Sequence, residues 1–126
     1  MKRMYLIPLS LVLAVVFNFG CVTPSIPIPP PSPERMEFNV DIAGGTARFA
    51  YPPTAIYAES TVYVYNRDRG VGVITTSQID GRVAPTEPFA AMLGDQVVVT
   101  FERDQQAVST CIRLRNGAQS ATDACE

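Results

Sequence analysis

The 126-residue sequence predicts an all-β domain, and its composition and its turn pattern are the observations behind that prediction. After residue 20 the chain contains 11 Val, 7 Ile and 10 Thr but only two Leu. Side chains branched at Cβ suit the pleated surface of a sheet. No segment carries apolar residues at helical spacing over a useful length. About seven short alternating segments separated by turns indicate an antiparallel β-sandwich.

Each strand is predicted where apolar and polar residues alternate between turn residues. The turns are predicted at Gly44-Gly45, Asn66 to Gly70, Asp80-Gly81, Gly94-Asp95 and Arg103 to Gln106. Pro85 and Pro88 restrict their segment to a sheet edge or a loop, because proline lacks the N–H that a ladder needs. Six further strands are predicted at residues 38–42, 47–51, 61–65, 71–76, 96–102 and 107–115. Together with the proline-containing edge segment they make about seven.

Residues 1–20 are predicted to be a signal peptide and not part of the fold. Lys2 and Arg3 precede an uncharged, mainly apolar run from Met4 to Gly20, which is interrupted by Pro8. This run is shorter than the roughly 20 apolar residues that span a bilayer core. The pattern therefore favours a cleaved leader over a permanent transmembrane helix.

The end of this run resembles the lipobox of bacterial lipoproteins, in which a small residue precedes a Cys that is diacylated and becomes the mature N-terminus. Gly20 and Cys21 match the lipobox, whereas Asn18 and Phe19 differ from its usual aliphatic and small residues. The resemblance implies a lipid anchor, such as palmitate, on Cys21. Val22 at the next position implies the outer membrane under the enterobacterial sorting rule. The alternative is an ordinary secreted protein in which Cys21 is incidental.

Residues 21–33 are expected to form an acylated Cys followed by a proline-rich linker. Six of the chain's 11 prolines lie between residues 22 and 33, so this segment should be an extended, solvated stalk. A ligand for a domain that reads PxxP motifs is the alternative. The folded domain is then expected to comprise residues 34–126.

The residue inventory argues against an enzyme. The chain has no His, which removes the commonest general base and the commonest metal ligand. The mature chain of 106 residues carries a net charge of −4, which is unsuited to nucleic acid. We therefore expect no catalytic residue, no cofactor, no metal and no nucleic-acid partner.

Part of the predicted domain resembles the Ig-like and carboxypeptidase-regulatory-like modules of bacterial cell surfaces. The matching residues are Val62-Tyr-Val64-Tyr-Asn66, Gly70, Thr75-Thr76, Asp80-Gly81, Phe89-Ala90, Gly94-Asp95-Gln-Val97-Val-Val99 and Ser109. The resemblance covers residues 60–110 and implies a single Ig-like sandwich, with no implication for activity. The chain departs from these modules in a proline-rich insertion at residues 83–88 and in its Cys-containing tail.

Cys111 and Cys125 are predicted to form a disulfide. If Cys21 carries lipid, they are an even pair in an exported, oxidising compartment. The bond would hold the tail against the last strand and close a loop of about 15 residues. The alternative, a reactive thiol, is disfavoured because the mature chain has neither His nor Lys to activate it.

Tyr63, Tyr65 and Tyr57 are the candidate binding surface. Tyr63 and Tyr65 alternate with Val62 and Val64, so they should face away from the core, and Tyr57 is close in sequence. Exposed aromatic rings stack on sugars or anchor protein partners. The alternative is that this strand is covered on both faces.

Asn66, Asp68 and Gly70 have the spacing of half a calcium loop. A complete loop needs more oxygen ligands and a closing Glu, which the following residues do not supply. A hairpin turn accounts for the same three residues.

Together these features predict a non-enzymatic, lipid-anchored protein of the bacterial envelope with a structural or protein-interaction role. Its expected partner is an envelope protein or a glycan. One alternative is an exported inhibitor of an envelope hydrolase that uses residues 83–88 as a projecting loop. Another is a small carbohydrate-binding module that uses the tyrosines.

Overall fold

The computed structural model describes residues 27–125, which form two four-stranded antiparallel sheets. The predicted signal peptide and Cys21 lie outside these residues. The strands are β1 (Glu37–Asp41), β2 (Thr46–Ala50), β3 (Thr61–Asn66), β4 (Val71–Thr76), β5 (Phe89–Ala90), β6 (Gln96–Arg103), β7 (Gln106–Arg113) and β8 (Gly117–Ala118). The short 3₁₀ helices are η1 (Pro33–Arg35), η2 (Ala55–Tyr57) and η3 (Ala121–Asp123). The all-β sandwich that the sequence predicted is confirmed.

Each of the two sheets contains strands from both halves of the chain. Sheet I has the order β5-β2-β1-β8 and sheet II has the order β4-β3-β6-β7. Three hairpins, β1–β2, β3–β4 and β6–β7, account for most of the pairing. Asp104 and Gln105 turn the β6–β7 hairpin with positive φ at both positions, as a two-residue hairpin loop of this kind requires.

Period-two alternation fills the space between the sheets with apolar side chains. Phe38 of β1 lies opposite Phe49 of β2, and their ring centroids are 5.1 Å apart. Sheet II contributes mainly valines. The buried inward-facing residues are Phe38, Val40, Ala47, Phe49 and Phe89 from sheet I and Val62, Val64, Val97, Val99, Phe101 and Ile112 from sheet II.

The proline segment is packed against the domain from residue 28 onward, so the prediction of a free, solvated stalk is wrong for this part of it. Pro31 is fully buried, and Ile28 packs against the core. The Thr110 hydroxyl donates to the Pro31 carbonyl oxygen over 2.6 Å. Backbone carbonyls in an extended proline segment have no ladder partner, which leaves them available to side-chain donors. Contacts with the sandwich therefore extend back along the chain to Ile28.

Residues 83–88 lie along the edge of β2, so the projecting loop that the inhibitor alternative requires is not formed. Val83 and Tyr51 exchange two backbone hydrogen bonds, of 3.0 and 3.1 Å. Thr86 is buried, and its N–H donates to the Phe49 carbonyl oxygen while its hydroxyl accepts from the Phe49 N–H. The edge position predicted for Pro85 and Pro88 is confirmed, and the Thr86 hydroxyl supplies an acceptor to β2 between them.

Candidate interaction edge and tyrosine face

Tyr63 and Tyr65 lie on the outer face of sheet II, as the alternation predicted. Val62 and Val64 are buried between the sheets, whereas Tyr65 is 47% exposed and Tyr63 is half-buried. The exposure of Tyr65 shows that β3 is not covered on both faces.

Tyr57 does not belong to this face, and its assignment to the binding surface is corrected. Its side chain is buried, and its ring stacks on Phe101 at a centroid distance of 4.3 Å. The cause is the 3₁₀ turn η2, which ends at Tyr57 and turns the ring into the core. Burial, reinforced by Tyr51 and opposed by Arg35, raises the pKa of Tyr57 to about 12.

The neighbours of the two tyrosines across sheet II complete a mixed aromatic and aliphatic surface. Tyr63 lies opposite Ile74 of β4, which is 70% exposed, and Tyr65 lies between Gly72 of β4 and Val98 of β6. Because Gly72 has no side chain, one side of the Tyr65 ring is not shielded by β4. We call Tyr63, Tyr65, Ile74 and Val98 the tyrosine face.

The tyrosine face is continuous with the edge strand β4. Ser77, just after β4, donates its N–H to the Ser60 carbonyl oxygen over 2.9 Å. Antiparallel pairs alternate, so the N–H and C=O groups of Gly72, Ile74 and Thr76 point away from β3. Within residues 27–125 these outward groups have no hydrogen-bond partner.

The opposite edge of sheet II, at β7, is covered. Within β7, the Thr110 hydroxyl bonds to Pro31, so residues 28–31 cover this part of the strand. Near the end of β7, the Cys125 N–H donates to the Cys111 carbonyl oxygen over 3.0 Å, and Ala124 forms a β-bridge with Ile112. The Sγ atoms of Cys111 and Cys125 are 2.01 Å apart, at disulfide distance. This places the tail on the last strand, as the sequence analysis expected.

The edges of sheet I are short, since β5 and β8 have two residues each. Native sheets commonly shorten, charge or cover their edges to prevent pairing with other chains. By contrast, β4 has six residues, and the stretch from Val71 to Ile79 contains neither charge nor proline. The absence of charge and proline from residues 71–79 can be read from the sequence, but only the strand order shows that β4 is an edge strand.

Asn66 and Asp68 belong to the β3–β4 hairpin turn. The Asn66 Oδ1 atom accepts hydrogen bonds from the N–H groups of Asp68 and Arg69. Its Nδ2 atom donates to Asp95 Oδ2 over 2.8 Å and to the Ala90 carbonyl oxygen over 3.1 Å. Within the described residues, no group of three or more potential metal-ligating side chains is present. The two hydrogen bonds to Asn66 Oδ1 are those of a hairpin turn between β3 and β4.

Asp95 is the charged centre of that turn. Burial opposes ionisation of its carboxyl and by itself would raise the pKa. Hydrogen bonds from Asn66, the Met92 N–H and Arg69, together with the Arg69 charge, favour the carboxylate. Their combined effect is larger, so the pKa of Asp95 lies below its ordinary value. The Arg69 Nε atom lies 2.7 Å from the Asp95 Oδ2 atom. These contacts stabilise the end of the sandwich away from the proline segment.

A groove of about 600 Å³ crosses the outer face of sheet I. Side chains of both charges line it, including Arg35, Arg48, Arg82, Glu34 and Glu37. No local sequence pattern indicates this groove, because its walls come from four separate segments. Its mixed charge favours no single class of ligand, so the open edge and the tyrosine face remain the better-defined site.

Across residues 27–125 there is no helix with the length and apolar character needed to cross a bilayer. No protein-family model matches the chain, and searches of curated proteins and of solved structures return no significant match.

Proposed function

We propose that this chain is a non-enzymatic, lipid-anchored protein of the bacterial envelope that binds an extended segment of a partner polypeptide along β4. The observation that carries the proposal is the open, uncharged edge of β4 beside the exposed tyrosine face. The Gly20-Cys21 motif after an apolar leader supports the anchor on Cys21, with Val22 favouring the outer membrane. The Cys111–Cys125 pair fits an oxidising compartment.

The edge supplies affinity through the main chain. Gly72, Ile74 and Thr76 each present one N–H donor and one C=O acceptor outward, so a partner strand extends sheet II as a fifth strand. Strand addition of this kind is tolerant of the partner's sequence, because main-chain groups form the ladder.

The tyrosine face supplies selectivity. Side chains alternate along an added strand, so every second residue of the partner lies on the outer face of sheet II, and one of these residues is next to Ile74. Ile74 is 70% exposed and adjoins Tyr63, which makes this row apolar. We therefore expect the partner segment to be uncharged, with apolar residues on that side.

A polypeptide fits this site better than a glycan does. Sugar rings stack on the faces of aromatic rings, but they cannot continue a backbone ladder. Here the ladder groups lie next to the aromatic rings, and the most exposed member of the tyrosine face is the aliphatic Ile74. A carbohydrate ligand is therefore an alternative outcome of the experiment below.

The proposal is tested by co-purification from detergent-solubilised envelope with the full-length, affinity-tagged protein. The variant Ile74→Lys places a charge on the edge, and Ile42→Lys is the matched control, because Ile42 is 60% exposed in the β1–β2 turn. We expect the wild type and Ile42→Lys to retain one partner polypeptide, and Ile74→Lys to retain at least tenfold less.

Equal retention by Ile74→Lys would show that the edge is not used. Release of the bound material by a peptidoglycan-digesting enzyme would favour the glycan alternative. The anchor is tested separately, since Cys21→Ser should move the protein from the membrane fraction to the soluble fraction.

A further inference from the structure

Two exposed isoleucines lie in neighbouring loops of the sandwich. Ile79 is 83% exposed within a turn closed by a 2.9 Å hydrogen bond from the Gly81 N–H to the Gln78 carbonyl oxygen. Ile56 is 46% exposed in η2. The two loops are joined, because the Glu59 N–H donates to the Gln78 carbonyl oxygen over 3.1 Å. Turns usually carry Gly, Asn, Asp or Ser, so an isoleucine as exposed as Ile79 is an uncommon residue at such a position.

Both loops lie at the same end of sheet II. Thr61, where β3 begins, is opposite Thr76, where β4 ends, and opposite Glu102 near the end of β6. The β6–β7 turn is at this end as well. We call residues 51–60, 77–82 and 104–105 the tether end.

The described chain also begins at the tether end. The Ile28 N–H donates to the Gln106 Oε1 atom over 3.1 Å, and Gln106 is the first residue of β7. The Tyr57 hydroxyl donates to the Pro29 carbonyl oxygen over 2.7 Å, and Tyr57 follows Ile56 in η2. The segment that leads to Cys21 therefore leaves the domain at this end, beside Tyr57 and its neighbour Ile56.

The distance from Pro27 to Cys21 is limited by the covalent chain. Six residues can span at most about 22 Å, since a fully extended chain covers at most about 3.6 Å per residue. A folded domain of about 100 residues has a radius of gyration of about 13 Å, which corresponds to a diameter of about 35 Å. A lipid on Cys21 thus cannot reach around the domain, and the surface nearest the membrane is the tether end.

We propose that the tether end lies against the membrane, with the Ile79 and Ile56 side chains in the lipid interface. This inference rests on the lipid anchor of the proposed function. The charged residues of the tether end are Glu59, Asp80, Arg82 and Asp104. Glu102 and Arg103 adjoin them at the end of β6, and Arg35 donates to Pro53 and Thr54 within the tether end. Since acidic groups outnumber basic ones, the contact depends on apolar insertion next to the anchor and not on attraction to anionic headgroups.

The membrane contact and the proposed partner site do not compete for the same surface. The edge β4 runs from the opposite end of the sandwich to the tether end, so it is reached from the side. A partner of the same envelope therefore has access to Gly72 and Ile74 while the domain is seated on lipid.

The experiment uses the full-length acylated protein in vesicles of phosphatidylethanolamine and phosphatidylglycerol at three to one. An environment-sensitive fluorophore is attached at Ile79→Cys or at the matched control Ile42→Cys, an exposed isoleucine in a turn at the opposite end. Quenching by a spin-labelled lipid reports contact with the membrane. We expect quenching of the fluorophore at position 79 to be at least threefold stronger than at position 42. We also expect the quenching at position 79 to be the same in 1 M NaCl.

Equal quenching at both positions, with the protein still floating with the vesicles, would overturn the orientation and leave the anchor intact. Quenching that disappears in 1 M NaCl would overturn apolar insertion as its cause. Failure of the wild-type protein to float with the vesicles would overturn the anchor itself, and the orientation with it.

Discussion

The Tyr57 hydroxyl donates a 2.7 Å hydrogen bond to the carbonyl oxygen of Pro29, and this bond ties the proline segment to the aromatic core. The Tyr57 ring is itself held between Phe101 and Tyr51. The proline segment is thus attached to the buried aromatic cluster, and this contact determines where it leaves the domain.

Removing the Tyr57 hydroxyl tests this attachment. Tyr57→Phe keeps the stacked ring and loses one hydrogen bond, so the free energy of unfolding should fall by about 1 kcal/mol. The backbone amides of Ile28 and Ser32, the two non-proline residues of the segment 28–33, should also exchange faster with deuterium. Urea unfolding and hydrogen exchange measure the two effects. Tyr63→Phe is the control, since its hydroxyl bonds to Glu102 over 3.4 Å at the surface, and an equal loss there would refute the role given to Tyr57.

Alkaline pH should destabilise the fold through the same hydroxyl. Burial raises the pKa of Tyr57 to about 12, from an ordinary value of about 10 in the unfolded chain. Between these values the unfolded chain loses the phenol proton while the folded protein keeps it. The free energy of unfolding therefore falls as the pH rises from about 10 to 12. Urea midpoints at pH 9, 10 and 11 should fall less steeply for Tyr57→Phe than for the wild type, and identical slopes would contradict this assignment.

The pair Cys111 and Cys125 should contribute strongly to stability. The two residues are 14 positions apart, and the chain-entropy model gives roughly 3 kcal/mol for a closed loop of that size. We expect the double variant Cys111→Ser, Cys125→Ser to lose about that much in urea unfolding. Reduced wild-type protein is the control and should lose the same amount. A loss below about 1 kcal/mol would contradict the stabilising role given to the disulfide.

Asn66 should not tolerate a charge. Asn66→Asp changes little in shape but places a second carboxylate against Asp95 in a buried position, so we expect a loss of about 3 kcal/mol at pH 7. Part of this loss should be recovered near pH 4.5, because a protonated side chain at position 66 can again donate to Asp95. Asn39→Asp, on the exposed face of β1, is the control and should change stability by less than about 0.5 kcal/mol. A loss at position 66 that does not depend on pH would exclude repulsion as its cause.

The strands were predictable because each one carries its own local signal. In β3, for example, Val62 and Val64 alternate with Tyr63 and Tyr65, and period-two alternation identifies both the strand and its buried face. The two-residue strand β8 was not predicted, since Gly117 and Ala118 provide no alternation.

The errors concern contacts between segments that are distant in sequence. Tyr57 was placed on the binding surface because it is close to Tyr63 along the chain, although η2 turns it into the core. The proline segment has no periodicity that indicates its packing, and its hydrogen-bond partners Tyr57, Gln106 and Thr110 are all distant in sequence. That β4 is the open edge of sheet II is likewise visible only in the folded protein, where Pro31 and Cys125 cover the other edge, β7.

The central claim is that a partner polypeptide adds a strand to β4, and site-specific photocrosslinking in living cells tests it most directly. A photoreactive phenylalanine analogue is introduced at Ile74 or, in a control, at Ile42, in chains with and without Thr76→Pro. This proline removes an outward-facing N–H of the edge while leaving the β3–β4 ladder in place. The account predicts one polypeptide adduct from position 74, none from position 42, and loss of the adduct with Thr76→Pro. No adduct from position 74, or an adduct that Thr76→Pro does not reduce, would contradict it.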